Sequence, residues 1–238
     1  MFKKWFVTLL LLAGFPFTLS AQLSEKIDLQ INTGTALPLS ATHFEEYWNP
    51  GIHFGGGLEY TLNDVITLKW DAAFNTFVFM HDEWKKDLKA TAIEEIPELE
   101  GEIGDFIVNG GNRYILETSI GAKIFPMPNE TINPYLSLGA GLINMSTDEI
   151  LIGFSGPDFT GETIPYFTAG VGMTFLNGEG FSLFGQVAYK YAMTKDEYKF
   201  ELLEPGVDYS LDLSGNYEEQ ETSMVAVEFG IVFDLAKK

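Results

Sequence analysis

From Ile27 onward the chain alternates apolar and polar side chains with a period of two, which is how a strand with one greasy and one polar face is written. Between Ile52 and Leu62, one parity carries Ile52, Phe54, Gly56, Leu58, Tyr60 and Leu62. The other carries His53, Gly55, Gly57, Glu59 and Thr61. The next segment sets Ile66, Leu68, Trp70, Ala72 and Phe74 against Thr67, Lys69, Asp71, Ala73 and Asn75. The last sets Val225, Val227, Phe229, Ile231 and Phe233 against Ala226, Glu228, Gly230 and Val232. That last segment begins near Thr222, and further ones begin near Tyr114, Ile132, Thr163 and Phe181; with the one from Ile27 they make eight, of about 11 to 13 residues each. Eight such strands predict an all-β chain whose sheet closes on itself.

The connections alternate as well. Asn63 to Val65, Pro126 to Thr131 and Leu176 to Gly180 are short and carry turn residues, with Asn177-Gly178 in the third. Ser40 to Pro50, Val78 to Arg113, Ser146 to Glu162 and Thr194 to Glu221 are long. An even strand count with short turns at one end and long loops at the other predicts an eight-stranded antiparallel up-and-down transmembrane β-barrel. The turns and both termini then lie on the periplasmic side, and the long loops are extracellular.

A soluble barrel with an apolar pocket shows the same alternation with the faces exchanged. Charge separates the two. The chain has 34 acids against 14 lysines and arginines, a formal −20. Yet the polar parity holds Glu59, Asp71, Glu117 and Glu228 against Lys69, Lys123 and Lys190, with His53 beside them. A solvated face would share the general acidity, whereas a narrow interior must neutralise itself because an unpaired buried charge costs several kcal/mol. Leu62 opposite Ile66 across the first tight turn also sets Glu59 opposite Lys69. We therefore read the seven charges as a structural ion-pair network in the lumen. Gly55, Gly57, Gly139, Gly141, Gly170 and Gly172 are expected to make room for the long side chains. Two aromatic girdles are expected at the bilayer interfaces. Tyr60, Phe125, Tyr135, Phe175, Phe181 and Phe233 would form the periplasmic one, and Phe77, Tyr114, Phe167, Tyr189 and Tyr191 the outer one.

Residues 1–21 read as a signal peptide: Lys3 and Lys4, an apolar run from Trp5 to Phe17, then Ser20 and Ala21 before Gln22. The run falls short of the roughly 20 apolar residues of a membrane-spanning helix. Residues 22–238 are then one barrel domain in the outer membrane of a Gram-negative cell. With no cysteine and Arg113 as the single arginine, thiol chemistry, a Cys-type zinc site and a nucleic-acid partner are excluded.

Three runs are similar to those of a known group. Asn133-Pro134-Tyr135-Leu136-Ser137-Leu138-Gly139-Ala140-Gly141 and Ile164-Pro165-Tyr166-Phe167-Thr168-Ala169-Gly170-Val171-Gly172 share a Pro-Tyr-x-x-x-Gly-x-Gly pattern. Glu228 to Phe233 looks like the aromatic-ended strand read by barrel-assembly machinery. The chain resembles small outer-membrane β-barrel proteins of the Bacteroidetes type, related in architecture to the OmpX and OmpA barrels. The departure is that five residues follow Phe233. The resemblance implies architecture and no activity.

Function is then sought in the loops. Trp84, Leu88, Ala92, Ile93 and Ile96 recur at helical spacing, predicting an amphipathic helix over Asp82 to Ile96 that caps the mouth or presents a binding face. The fourth loop reads as a hairpin, Tyr198 to Leu202 and Val207 to Leu213, with Phe200 and Tyr209 as contact residues for a partner strand. Loops two and four hold nine acids each, an acidity that beside lipopolysaccharide would call for bridging Ca²⁺ or Mg²⁺. No loop has an EF-hand pattern, so no metal site and no cofactor is expected. A lipid-modifying enzyme would need a base such as His43, His53 or His81, and none has a diagnostic serine partner. Eight strands also enclose too little space for a diffusion pore. The expectation is a non-enzymatic, monomeric barrel in contact with lipid and lipopolysaccharide, with a structural or interaction role through its acidic loops and an envelope protein as partner. The alternative is an accessory subunit of a secretion machine, as in the PorT-like proteins.

Overall fold

A computed structural model describes residues 27–39, 42–95, 108–128, 132–148, 151–152, 162–178, 180–196, 201–202, 211–212 and 220–235. The signal peptide, the tip of the fourth loop with Phe200 and Tyr209, and the side chains of His43 and Leu88 lie outside the described residues. Eight strands form the wall: β1 (Ile27–Pro38), β2 (Gly51–Thr61), β3 (Ile66–Phe77), β5 (Arg113–Ile124), β6 (Ile132–Thr147), β8 (Glu162–Gly178), β9 (Phe181–Asp196) and β12 (Gln220–Asp234). Between them lie two helices, α1 (Thr42–Tyr47) and α2 (His81–Glu95), and the two-residue strands β4 (Val108–Asn109), β7 (Leu151–Ile152), β10 (Glu201–Leu202) and β11 (Leu211–Asp212).

Each wall strand pairs antiparallel with the next, and β12 pairs with β1, so the sheet is a closed barrel without an edge. The register fixes its shape. From Asp28 the partners run Glu59, Lys69, Gly121, Gly139, Thr168, Lys190 and Met224, and arrive back on β1 at Pro38. Ten residues separate Asp28 from Pro38, so the shear is ten. For eight strands this sets a tilt of about 40° and a radius of about 8 Å. A twelve-residue strand at that tilt rises about 30 Å, the thickness of a bilayer's hydrocarbon core.

The strand prolines fit this closed sheet because each stands where pairing on one flank has ended. Pro38 pairs with β12 beyond the last β1–β2 pair, Pro134 pairs with β8 beyond the last β5–β6 pair, and Pro165 pairs with β6 beyond the last β8–β9 pair. A missing N–H there removes little from the ladder.

The two faces fall as the alternation predicts. Ile52, Phe54, Leu68, Phe74, Ile120, Leu136, Leu138, Phe167, Val171 and Phe229 are exposed on the outside. Up to Ala192 on β9 and from Thr222 on β12, no Asp, Glu, Lys or Arg of the described wall strands shares their parity; Lys195 and Glu221 fall on it at the loop ends of those two strands. The inward parity is buried and stratified. Polar side chains fill the layers at the short-turn end and in the middle. Ala36, Phe77, Ile115, Ile143, Met145, Ile164, Ala192 and Met224 form an apolar layer at the loop end.

Candidate functional site

The lumen and its loop cap are where this sequence concentrates chemistry. All seven charged residues named from the alternation point inward. Glu59, Lys69, Glu117, Lys123, Lys190 and Glu228 are buried, and Asp71 is partly so. Register places Glu59 opposite Lys69, but their ion pairs lie elsewhere. Lys123 reaches past β3 to Glu59 and donates to Gln30 Oε1 at 3.0 Å, while Lys69 pairs with Asp71, its neighbour on the same face, at 2.7 Å. Lys190 crosses the lumen to Glu117 at 2.8 Å and lies 3.4 Å from Glu228. In so narrow a barrel a lysine spans the interior, so partners follow depth rather than strand adjacency.

Uncharged inward residues complete the network. His53 Nδ1 lies 2.7 Å from Asn75 Oδ1, and Asn75 Nδ2 donates to Glu117. Gln186 donates to Glu228 at 2.9 Å and accepts from the Tyr135 hydroxyl at 3.2 Å. Asn32 donates to Glu228 at 3.3 Å. Sequence reasoning centred on charge missed Gln30, Asn32, Asn75 and Gln186, although their inward parity was the signal that could have found them.

Two residues assigned to the girdles are inside. Tyr135 and Phe77 are both fully buried and inward. The Tyr135 ring and Phe184 each hold the Lys123 ammonium 4.8 Å from their centroids, a cation–π floor to the polar layer. Gly172, opposite Tyr135 on β8, clears space for that ring rather than for a charged chain: a Cβ there would lie 2.5 Å from Tyr135 Cζ. Gly57 does clear space for a charged chain, since its Cβ would lie 2.8 Å from Asp71 Oδ1.

The other end is closed by the first two loops folded together. Phe44 of α1, Trp48, Phe79 and Trp84 of α2 join the apolar layer of the barrel. Arg113 stands at the head of β5, its guanidinium 4.3 Å from the Trp48 ring centroid and 5.0 Å from that of Phe44, with Nε donating to Thr147 at 3.3 Å. The returning limb of loop two bends through Gly110 and Gly111, at φ 82° and 79°, a region L side chains rarely enter. This bend lets the Gly111 carbonyl accept from Trp48 Nε1, and brings the Gly110 carbonyl to His81 Nε2, both at 2.9 Å. The helix expected over Asp82 to Ile96 is thus present, shifted by one residue. Trp84, on the stripe expected either to cap the mouth or to meet a partner, is buried against Phe79, on the capping side. In the cap, Glu46 of α1 has its carboxyl held above the usual glutamate range by burial and by Asp87. Asp87 also accepts from the Tyr47 hydroxyl at 3.0 Å.

In the fourth loop, Glu201 and Leu202 pair with Asp212 and Leu211, the base of the predicted hairpin. A two-residue ladder of β4 with β7 joins loop two to loop three, which the alternation did not announce.

No protein-family model matches the chain, and no curated protein matches it. Solved structures share the architecture. Neisserial surface protein A aligns with 87% of this chain and 96% of its own, at 12% identity and a TM-score of 0.46. Ail, the attachment invasion locus protein of Yersinia pestis, aligns with 88% of this chain and 99% of its own, at 11% identity and 0.45. The outer membrane protein OprG of Pseudomonas aeruginosa aligns with 88% and 96%, at 12% identity and 0.44. The likeness is to the barrel and goes no further.

Proposed function

We propose that this chain is an integral, non-enzymatic protein of the outer membrane, in which the barrel is the anchor and the loops act outside the cell. One observation carries the reading. The belt of the barrel below its loop ends is apolar and free of charge outside, while ionised groups are paired inside, the reverse of what water would select. The sealed lumen supports an anchoring rather than a conducting role. Among the described residues, His53 Nδ1 is engaged with Asn75 and His81 Nε2 with the Gly110 carbonyl, while His53 Nε2 faces the Glu228 carboxylate, which favours a non-enzymatic role.

Trp70 tests the orientation, because it faces outward on β3 while Trp48 and Trp84 lie in the cap. In the Trp48→Phe, Trp84→Phe double variant reconstituted into vesicles, lipids brominated along their acyl chains should quench the Trp70 fluorescence. Absence of quenching, in protein that stays dispersed without detergent, would overturn the reading.

The interaction role rests on the acidic loops. With Trp84 committed to the cap, the surface of α2 that a partner meets holds Asp82, Glu83, Lys86 and Glu94. Photo-crosslinking in cells from positions 86 and 209 should return one recurrent envelope protein. A large secretion component at either position would favour the accessory, PorT-like role, whereas lipopolysaccharide adducts alone would leave a stand-alone structural barrel.

A further inference from the structure

Between the Tyr135–Phe184 floor and the apolar layer beneath the cap, the lumen holds a polar chamber of about 20 Å³. That is room for one water molecule. Three buried polar atoms in its wall make no hydrogen bond: Asn32 Oδ1, Asp71 Oδ1 and His53 Nε2, the last 3.5 Å from Glu228 Oε1. Asn32 and His53 are more than nine-tenths buried. Such orphans are rare in folded proteins and are ordinarily met by solvent.

The surrounding bonds fix what these atoms need. Asn75 Nδ2 is committed to Glu117, so Asn75 Oδ1 faces His53 and accepts from Nδ1. Asn32 Nδ2 is likewise committed to Glu228, which leaves Oδ1 as the free end. Asn32 Oδ1 and Asp71 Oδ1 are both acceptors. The ammonium of Lys69, bound to Asp71 Oδ2 at 2.7 Å, has three hydrogens and lines the same chamber.

Charge then selects among ligands of this size. Lys69 and Lys190 line the chamber together with Asp71, Glu117 and Glu228. A metal cation would sit against two ammonium groups, and an anion against three carboxylates. We propose that the chamber is a built site for one neutral water molecule. It donates to Asn32 Oδ1 and Asp71 Oδ1, lies beside His53 Nε2 and accepts from Lys69, tying β1, β2 and β3 together through the lumen. This does not depend on where in the cell the barrel resides.

The test uses the full barrel refolded in detergent. A crystal structure should show one density peak within about 2.7–3.2 Å of both Asn32 Oδ1 and Asp71 Oδ1. After a thallium(I) soak, the peak should carry no anomalous signal. Water ¹⁷O relaxation dispersion should count one fewer long-lived internal water in Asn32→Leu. Should that variant fail to fold, because Asn32 also holds Glu228, the wild-type crystal decides alone. A dry chamber, or a thallium signal marking a cation site, would overturn the proposal.

Discussion

Individual side chains inside this barrel are valued by what they leave behind when removed. Lys123→Met would strand the Glu59 carboxylate in the polar layer, and breaking a buried pair in this way costs about 3–5 kcal/mol. Adding Glu59→Gln should return most of that, because the charge left without its partner is gone. Urea unfolding of the refolded barrel, single against double variant, checks it; equal losses in both would mean the pair is not the unit that matters. Gly172→Ala should cost about 1–3 kcal/mol, as its Cβ would meet Tyr135 Cζ at 2.5 Å and Gln186 Cβ at 2.8 Å. Tyr135→Leu in the same chain should relieve part of it, a coupling the double-mutant cycle measures. This is also where sequence reading was weakest. The inward direction of Glu59 or Lys190 was legible from alternation alone. Their partners were not, because a lysine in a barrel of this radius reaches groups on strands that are not its neighbours. Tyr135 was misplaced for a related reason: an aromatic ring suits lipid and lumen equally, and only its parity beside Ser137 and Gly139 says which.

Elements built from these residues differ in how far their pattern reveals them. The wall strands were legible almost end to end, since a strand with two unlike solvents must alternate. Loop two revealed its helix through spacing, but not its destination, because one apolar stripe serves for docking on the barrel's own mouth or on a partner. What decides is the rest of the cap: the Phe44, Trp48 and Phe79 side chains, the Arg113 guanidinium and the Gly110–Gly111 bend together hold α2 down. Trp48→Ala should therefore loosen the cap and leave the wall intact. We expect proteolysis within residues 81–95 to accelerate while strand content by circular dichroism is kept. Loss of both would mean that the cap nucleates the barrel. Acid should tighten the same element. Glu46 has its carboxyl raised in the folded cap, so its protonated form favours docking; that stabilisation is present below the ordinary glutamate range and is lost as pH rises through the raised value. Hydrogen exchange across α1 should slow on acidification through this window, and Glu46→Gln should flatten the response. Because Glu46 is largely exposed, the effect is a modest one.

At the scale of the whole molecule, stability and permeability follow from the same inversion of faces. A charge placed on the belt must be drawn into lipid. Ile120→Arg, at a site 70% exposed near the middle of β5, should destabilise the bilayer-refolded barrel by about 2–4 kcal/mol, and a barrel standing in water would hardly register it. Permeability is the sharper test because it has two barriers in series. The cap and its apolar layer close the outer end, and below them the ion-paired layer rests on Tyr135 and Phe184, so opening one leaves the other shut. The wild-type barrel should give no conductance above background in a planar bilayer. Deleting residues 82–107 should also give none, because the Lys123, Lys190 and Glu228 contacts lie beneath the cap and do not depend on it. Only combining that deletion with Lys123→Ala, Lys190→Ala and Tyr135→Ala, which opens the ion-paired layer and its floor, should produce discrete openings. Conductance from the cap deletion alone would mean that the polar layer is wet and permeable, and that the loops rather than the lumen are the seal.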